Sequence, residues 1–487
     1  MVERASQAIT PDLHLLMNDE ASFLTAIKQN PDKDLPRLVF ADWLEEHGQS
    51  ARAEFIRCQI EEAKFDWRDA RREVWTNRAQ ILLREWGTQW FGPWAERGAF
   101  HRGLIHAHCR ASEFRDRVAA GGHAGLQWVE KLHLTGEAEQ VLPLLQSPHF
   151  AGLAGLHIQN TGLRAGGAAL LAASPHLARL SHLNLAQQLI SDQGMMEIAQ
   201  SPHLSHLTDL DLMQNFLGPA SATTLAASPY LHRLNYLYLA DNAIGDAGAE
   251  ALAGAANLAG LQYLNLGKNH IQTSGAQALA GSSHLLTLQT LVLRDNELGN
   301  AGVAALAAGR ILGKLTTLDL MNAKFYPDGA IALANSAYLR QLRCLTLSDN
   351  YVGDEGAQAL AASPIMTEVV TLDLREAGIG AAGARALANS PYLSKLKVLD
   401  LRDNLIGDDG ARAFAAAPYL DELTNLDLGK NFIGAAGAAA LAASTALPSL
   451  VDLWLYDNDI SVDYREELQR RFKRVEASRQ EDWMSYY

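Results

Sequence analysis

The sequence predicts an α/β solenoid preceded by a small, mainly helical domain, and three observations carry that prediction. A Leu-x-Leu pair, with Ile158 as the second member in the first copy, starts at residues 156, 183, 210, 237, 264, 291, 318, 345, 372, 399, 426 and 453, a spacing of 27 without one insertion. An Asn follows five residues after the first Leu at 215, 242, 269, 296, 350, 404, 431 and 458. An Ala-rich stretch with helical spacing then closes each copy. Units this uniform bury their apolar faces only against one another, so neighbours must stack.

Within a unit, Leu-x-Leu alternates with period two and makes a short strand whose leucines enter the core while the middle residue faces outward. The Asn side chain offers donors and an acceptor, which suits the turn where the chain leaves its strand. Four units lack that Asn and carry Thr161, Gln188, Ala323 or Ala377 instead, where looser turns are expected. An apolar anchor such as Ile244 or Ile406 and a Gly come next, then a helix start at which Asp192, Asp246, Asp354 and Asp408 are placed to cap. A Ser-Pro or related turn, as in Ser228-Pro229, returns the chain to the next strand.

Ahead of the array, residues 1–17 are expected to be a partly ordered lead-in and 18–110 a helical domain. Asn18-Asp19 can cap a first helix bearing Phe23, Leu24 and Ile27, which Pro31 ends. A second begins near Asp34 with Pro36 in its first turn and stops at Gly48, and a third follows Ser50. Residues 63–95 read as one or two further helices with Trp67, Trp75, Trp86, Trp90 and Trp94. Arginine interleaved with these tryptophans could suggest a nucleic-acid surface, but the arginines lie among Glu54, Glu61, Glu62, Asp66, Asp69, Glu73 and Glu85, and the bland reading is a packed helical core. His101–Cys109 alternates like a strand, which places His106 and His108 on one face as a possible metal pair; two ligands do not make a site, so a joining strand is preferred. Residues 111–150 form a connector and a shortened opening repeat with its strand at Leu132-His133-Leu134, 151–460 the twelve repeats, and 461–487 a capping helix and tail, locally basic around Arg465–Arg474.

The 487 residues carry a formal charge of −14, which argues against a general nucleic-acid binder. No apolar run approaches the roughly 20 residues that cross a bilayer, and the N-terminus lacks the apolar region of a secretion signal. Cys58, Cys109 and Cys344 are too scattered for a disulfide framework and read as buried thiols. A cytoplasmic chain without membrane contact is expected. There is no phosphate loop, nucleophile elbow or His-Glu-x-x-His, so the expectation is no enzyme and no cofactor. The Asp403–Asp409 stretch lacks the acidic spacing of a calcium loop.

The repeat resembles the leucine-rich repeat, in the strand and helix version of the ribonuclease-inhibitor class shared by the activator of the nuclear GTPase Ran. That resemblance implies a horseshoe with parallel strands on the concave face and helices on the convex face. The uniform unit length departs from ribonuclease inhibitor's alternating repeats, and no partner-binding motif of either protein is present. The run Pro36–Gly48, with Asp42-Trp43-Leu44-Glu45-Glu46 at its centre and Arg52–Arg57 after it, is similar to the repeat-companion domain found ahead of repeats in bacterial proteins. It covers about residues 16–62 and implies a bacterial source and nothing catalytic.

Binding is expected on the strand face. Its inner residues include Tyr238, Asp319, Asp373, Asp400, Asp427 and Trp454, with Arg294, Arg375 and Arg402 two positions further on and Tyr236, Tyr263 and Tyr456 beside them. One reading is an acidic patch for the basic surface of a protein partner, with the aromatic residues as anchors. The other is a self-neutralised ladder in which Arg375 and Arg402 offset Asp373, Asp400 and Asp403. An adaptor or regulator fits the first; a GTPase regulator, or a substrate or effector of a bacterial signalling or defence protease system, are the alternatives.

Overall fold

The computed structural model describes residues 19–30, 33–65, 69–95, 98–119 and 122–476. The expected lead-in, Asn18, Pro31, Trp67 and the tail beyond residue 476 lie outside them. The chain divides into two compact units, Met1–Asp211 and Leu212–Tyr487.

In the first unit, helices α1 (Glu20–Gln29), α2 (Leu35–Glu46), α3 (Ser50–Glu62) and α4 (Ala70–Phe91) precede the strands. Asp19 caps α1 by accepting from the Ser22 backbone N–H at 2.7 Å. The predicted joining strand is a hairpin of β1 (Gly98–His101) and β2 (Leu104–Arg110), antiparallel to each other. From β2 onward the sheet is parallel through β3 (Val129–Thr135), β4 (Gly155–Gln159), β5 (His182–Asn184) and β6 (Asp209–Asp211). Lys131 faces Gly155 across β3 and β4, the 24-residue offset of the shortened opening repeat.

Buried charge joins the helices to this sheet. Arg37, 0% exposed, meets Glu130, 1% exposed, at 2.9 Å, and His106 Nε2 lies 3.3 Å from the other Glu130 oxygen. Lys28 donates to the Val129 carbonyl at 3.0 Å, and burial lowers its pKa to about 8. Phe40 stacks on Trp128, Phe91 meets it edge-on, and the Arg52 guanidinium lies 3.6 Å over its ring. Asp42 and Glu45, from the motif centre, hold Arg57 at 2.6 and 2.7 Å. These contacts cover the first strands with a helical layer, which is what the open end of a repeat stack requires. Glu130→Ala would strand the Arg37 charge; we expect a loss of about 3–5 kcal/mol from the first unit, read by denaturant melts followed through its tryptophans.

The second unit continues with β7 (Tyr236–Tyr238), β8 (Tyr263–Asn265), β9 (Thr290–Val292), β10 (Thr317–Asp319), β11 (Cys344–Thr346), β12 (Thr371–Asp373), β13 (Val398–Asp400), β14 (Asn425–Asp427), β15 (Asp452–Trp454) and β16 (Arg474–Glu476). Each pairs in parallel with the next, 27 residues on until the last. The leucines of every pair are buried, as are the anchors Leu217, Ile244, Ile271 and Leu298. Helix Val462–Arg471 follows the last repeat, and β16 pairs in parallel with β15.

The Asn column works between repeats. The Asn242 side-chain oxygen accepts from the Asn215 and Leu217 backbone N–H groups, while its amide donates to the carbonyls of Leu212 and Leu239. The turn at Ala377 is satisfied without an Asn of its own. Asn404 reaches back to accept from the N–H groups of Ala377 and Ile379, and Ala323 and Ala377 are fully buried. In all twelve repeats the residue before this position adopts a left-handed φ, from Asn160 and Gln187 to Lys430 and Asp457. Asn and Asp tolerate that conformation better than most residues, which accounts for much of the Asp at this position.

The uniform spacing conceals an alternation. Gly245, Gly299, Gly353 and Gly407, each 54 residues from the next, take positive φ at the helix start, whereas Phe216, His270, Lys324, Gly378 and Phe432 take it two positions earlier in the intervening repeats. The capping carboxylates follow the same rhythm and correct the expectation. Asp246, Asp354 and Asp408 each cap the helix of the following repeat: Asp354 accepts from the N–H groups of Gly380 and Gly383 at 2.8 and 2.7 Å, and Asp408 from Gly434 and Gly437. Close helix stacking depends on glycine: a Cβ on Gly356 would lie 2.8 Å from Ala330 Cβ in the preceding helix. Asp354→Ala should therefore cost about 1 kcal/mol and raise amide hydrogen exchange at the start of helix Ala381–Ala388, leaving the helix that carries Asp354 protected.

Candidate functional site

The strand register of the second unit sets Asp373, Asp400 and Asp427 side by side on β12, β13 and β14, with Thr346 between Asp319 and Asp373. Parallel strands lie about 4.8 Å apart, so three carboxylates share a distance at which like charges repel. Arg375 lies 3.3 Å from Asp373 and 3.6 Å from Asp400. Arg402 bonds to Tyr456, whose hydroxyl donates to Asp427 at 3.3 Å. Each Asp also accepts from a backbone N–H two residues on: Arg375, Arg402 and Gly429, at 3.1, 3.0 and 2.8 Å.

Neutralisation is therefore partial. Burial and then the Asp427 charge push the Asp400 carboxyl up to about 7, and burial also raises Asp319 and Asp427. The Arg294 side chain is exposed. Beside this row a second line of acids, Asp349, Glu376 and Asp403, occupies the left-handed turn positions, and Lys430 meets Asp403 at 3.4 Å.

The aromatic candidates separate. Tyr236, Tyr238 and Tyr263 form one cluster on β7 and β8, the last two with rings 4.6 Å apart. Trp454 stands half-buried on β15, opposite Glu476. Tyr456 is buried: its ring lies over Gly429, where a Cβ would come within 2.5 Å of it, and burial raises its hydroxyl to about 12. It supports the ladder from beneath. A glycine two positions past Asp427 with a tyrosine in register one repeat later is the sequence signal for that stacking, and counting inner residues alone misses it.

In the first unit the strand face carries histidines. His108, His133 and His157 are in register on β2, β3 and β4, with His133 and His157 rings stacked at 4.1 Å and burial lowering the His157 pKa to about 4. His106 turns to Glu130, so the two candidate ligands on β2 diverge in function. Among the described residues no group of three or more His, Cys, Asp or Glu is arranged to hold a metal ion. A cavity of about 720 Å³ lies among α3, α4 and Trp128, with Arg52, Trp86 and Trp90 in its wall. Cys58 and Cys109 are buried and Cys344 half-buried, on the outer row of β11 rather than in the core. No helix among the described residues is long and apolar enough to cross a membrane.

Strands, turns and helices repeating in this form give the chain a leucine-rich-repeat fold. The family description "Leucine Rich repeat" matches residues 230–253, 261–280, 284–307, 338–361, 368–388, 392–415 and 423–442. Similar solved structures include an internalin (inlF) from Listeria monocytogenes, at 20% identity over 68% of this chain and 82% of that one, TM-score 0.43. TLR13 in its complex with ssRNA13 is similar at 18% identity over 73% and 54%, TM-score 0.44, and the Rad7 and Elc1 complex of yeast at 14% over 94% and 96%, TM-score 0.44. No curated protein matches the chain in sequence.

A folded-state pKa raised above the unfolded value contributes stability that is present below about pH 4 and is lost as pH rises through 7. Asp400→Asn keeps the acceptor for the Arg402 N–H and removes the charge. We expect it to raise the stability of the second unit by on the order of 1–3 kcal/mol at pH 8 and to change little at pH 4, as read by thermal melts across that range.

Proposed function

We infer that the chain is a non-catalytic scaffold that binds a protein partner through the strand face of residues 212–487. The observation that carries this reading is the in-register row Asp373, Asp400, Asp427, whose mutual repulsion is only partly offset by Arg375 and Arg402. Such a row costs stability at neutral pH, and the basic surface of a partner would relieve it. Asp319 and Arg294 extend the polar row; Tyr236, Tyr238 and Tyr263 at one end and Trp454 at the other supply aromatic area of the kind that anchors interfaces.

The Asp42–Glu46 motif of the first unit resembles the repeat-companion module of bacterial proteins, and that resemblance supports reading the chain as a bacterial adaptor or regulator acting in the cytoplasm. Charge reversal at Asp373, Asp400 and Asp427 to Lys should abolish recovery of the partner in quantitative pull-downs while the melting profile keeps both units. Equal recovery by wild type and variant would end the strand-face reading.

A further inference from the structure

A second surface of the same unit runs along the turns that leave the strands. The residue after the Asn-column position is exposed there, and in adjoining repeats it is large and apolar: Tyr351 is 57% exposed, Leu405 59% and Phe432 75%. The repeat between Tyr351 and Leu405 contributes Gly378, and the Tyr351 ring lies across it; a Cβ there would sit 2.6 Å from that ring. Exposed Tyr326, with its ring 6.4 Å from that of Tyr351, extends the row by one repeat. A nearly continuous apolar edge thus crosses five consecutive repeats.

The edge is held rigid. The backbone N–H groups of Tyr351 and Leu405 donate to Phe325 and Ile379 of the preceding repeats at 3.2 and 2.8 Å. Phe432 stands at φ 57°, a left-handed conformation that its counterpart Gly378 adopts freely and that a bulky side chain disfavours. Phe216 shares that conformation and is 73% exposed, so the repeat sets the backbone, and it is the apolar ring burying little of itself that points to use by something outside the fold.

Beside the edge stands acid. Asp349, Glu376 and Asp403 occupy the adjacent turn position in consecutive repeats, and burial together with the Asp349 and Asp403 charges pushes the Glu376 carboxyl up. Met321, Lys324, Asp349, Tyr351 and Glu376 line a cleft of about 480 Å³ there. Lys324 is a cation on that wall, and Lys430 meets Asp403 at the far end.

We propose that this edge binds an extended basic segment of a partner protein, which lays large apolar side chains on Tyr351, Leu405 and Phe432 and directs Lys or Arg to Asp349 and Glu376. The proposal rests on the protein-binding reading and supplies the chemistry of the partner. A second copy of this chain would need the same basic and apolar pattern on its own surface, and is an outcome of the test.

The full chain, immobilised, is panned against random peptides about 12 residues long, enough at roughly 3.3 Å per residue to cross five repeats. The most enriched peptide is then labelled with fluorescein and titrated by polarisation. Expected is enrichment of Lys or Arg with Leu, Phe or Trp. Affinity should fall about tenfold or more in the triple variant Tyr351→Ser, Leu405→Ser, Phe432→Ser, fall in Glu376→Gln, and persist in Asp400→Asn with Asp427→Asn. The exposed positions of the triple variant and of Glu376→Gln should leave their melting temperatures unchanged. Peptides bound equally by the triple variant and wild type would overturn the proposal, and so would enrichment of acidic peptides. Loss of affinity in the Asp400 and Asp427 variant alone would also overturn it while leaving the strand-face reading standing. Self-association in light scattering that the triple variant abolishes would replace the partner with a second copy.

Discussion

Everything in the array depends on one side-chain amide bridging two turns. A three-residue strand offers few backbone hydrogen bonds, and the polypeptide must then turn sharply with its peptide groups out of contact with water. Wherever the Asn is present, the column resolves this by giving the preceding turn the oxygen of its amide and its own strand end the donors. Unsatisfied groups here would each cost about 1–3 kcal/mol, so the column sets the stacking distance and the orientation of everything hung from the turns. The strand-face acids and the apolar edge are both consequences of that placement.

Seen this way, the two surfaces differ in what they cost the fold. The acids of the strand face are repeated at one pleat position because the register repeats, and their repulsion is moderated by Arg375, Arg402 and Tyr456 without being removed. The acids of the turns have a local reason, since the left-handed backbone there favours Asp and Asn. Phe432 has no such reason. The repeat demands a left-handed backbone at Phe432 as at Phe216 and His270, but not an exposed aromatic ring, which is why that ring weighs more in assigning a surface.

Much of the architecture was legible in the residues, because Leu-x-Leu and Asn report directly on burial and turn satisfaction. Three things were not. Cap direction was hidden because a carboxylate near a helix start sits equally near the helix of the next repeat, and only stacking distance decides between them: Asp354 serves Gly380 and Gly383. Tyr456 looked exposed because pattern counting assumes that alternate strand residues face solvent, whereas Gly429 leaves a space that its ring fills. The tie between helical module and sheet was hidden because Arg37 and Glu130 are 93 residues apart and neither stands out where it lies.

The alternation of turn geometry has a further consequence for how such a chain can change in length. Repeats of equal size suggest that any one could be lost or duplicated. Yet each carboxylate cap is supplied by a repeat of one kind to a repeat of the other, and left-handed glycine and left-handed bulky residue alternate with it. Removing 27 residues would set two donors, or two acceptors, face to face. Within β7 to β14 the structural module is therefore the pair, and a change of length that keeps every cap supplied comes in steps of 54 residues.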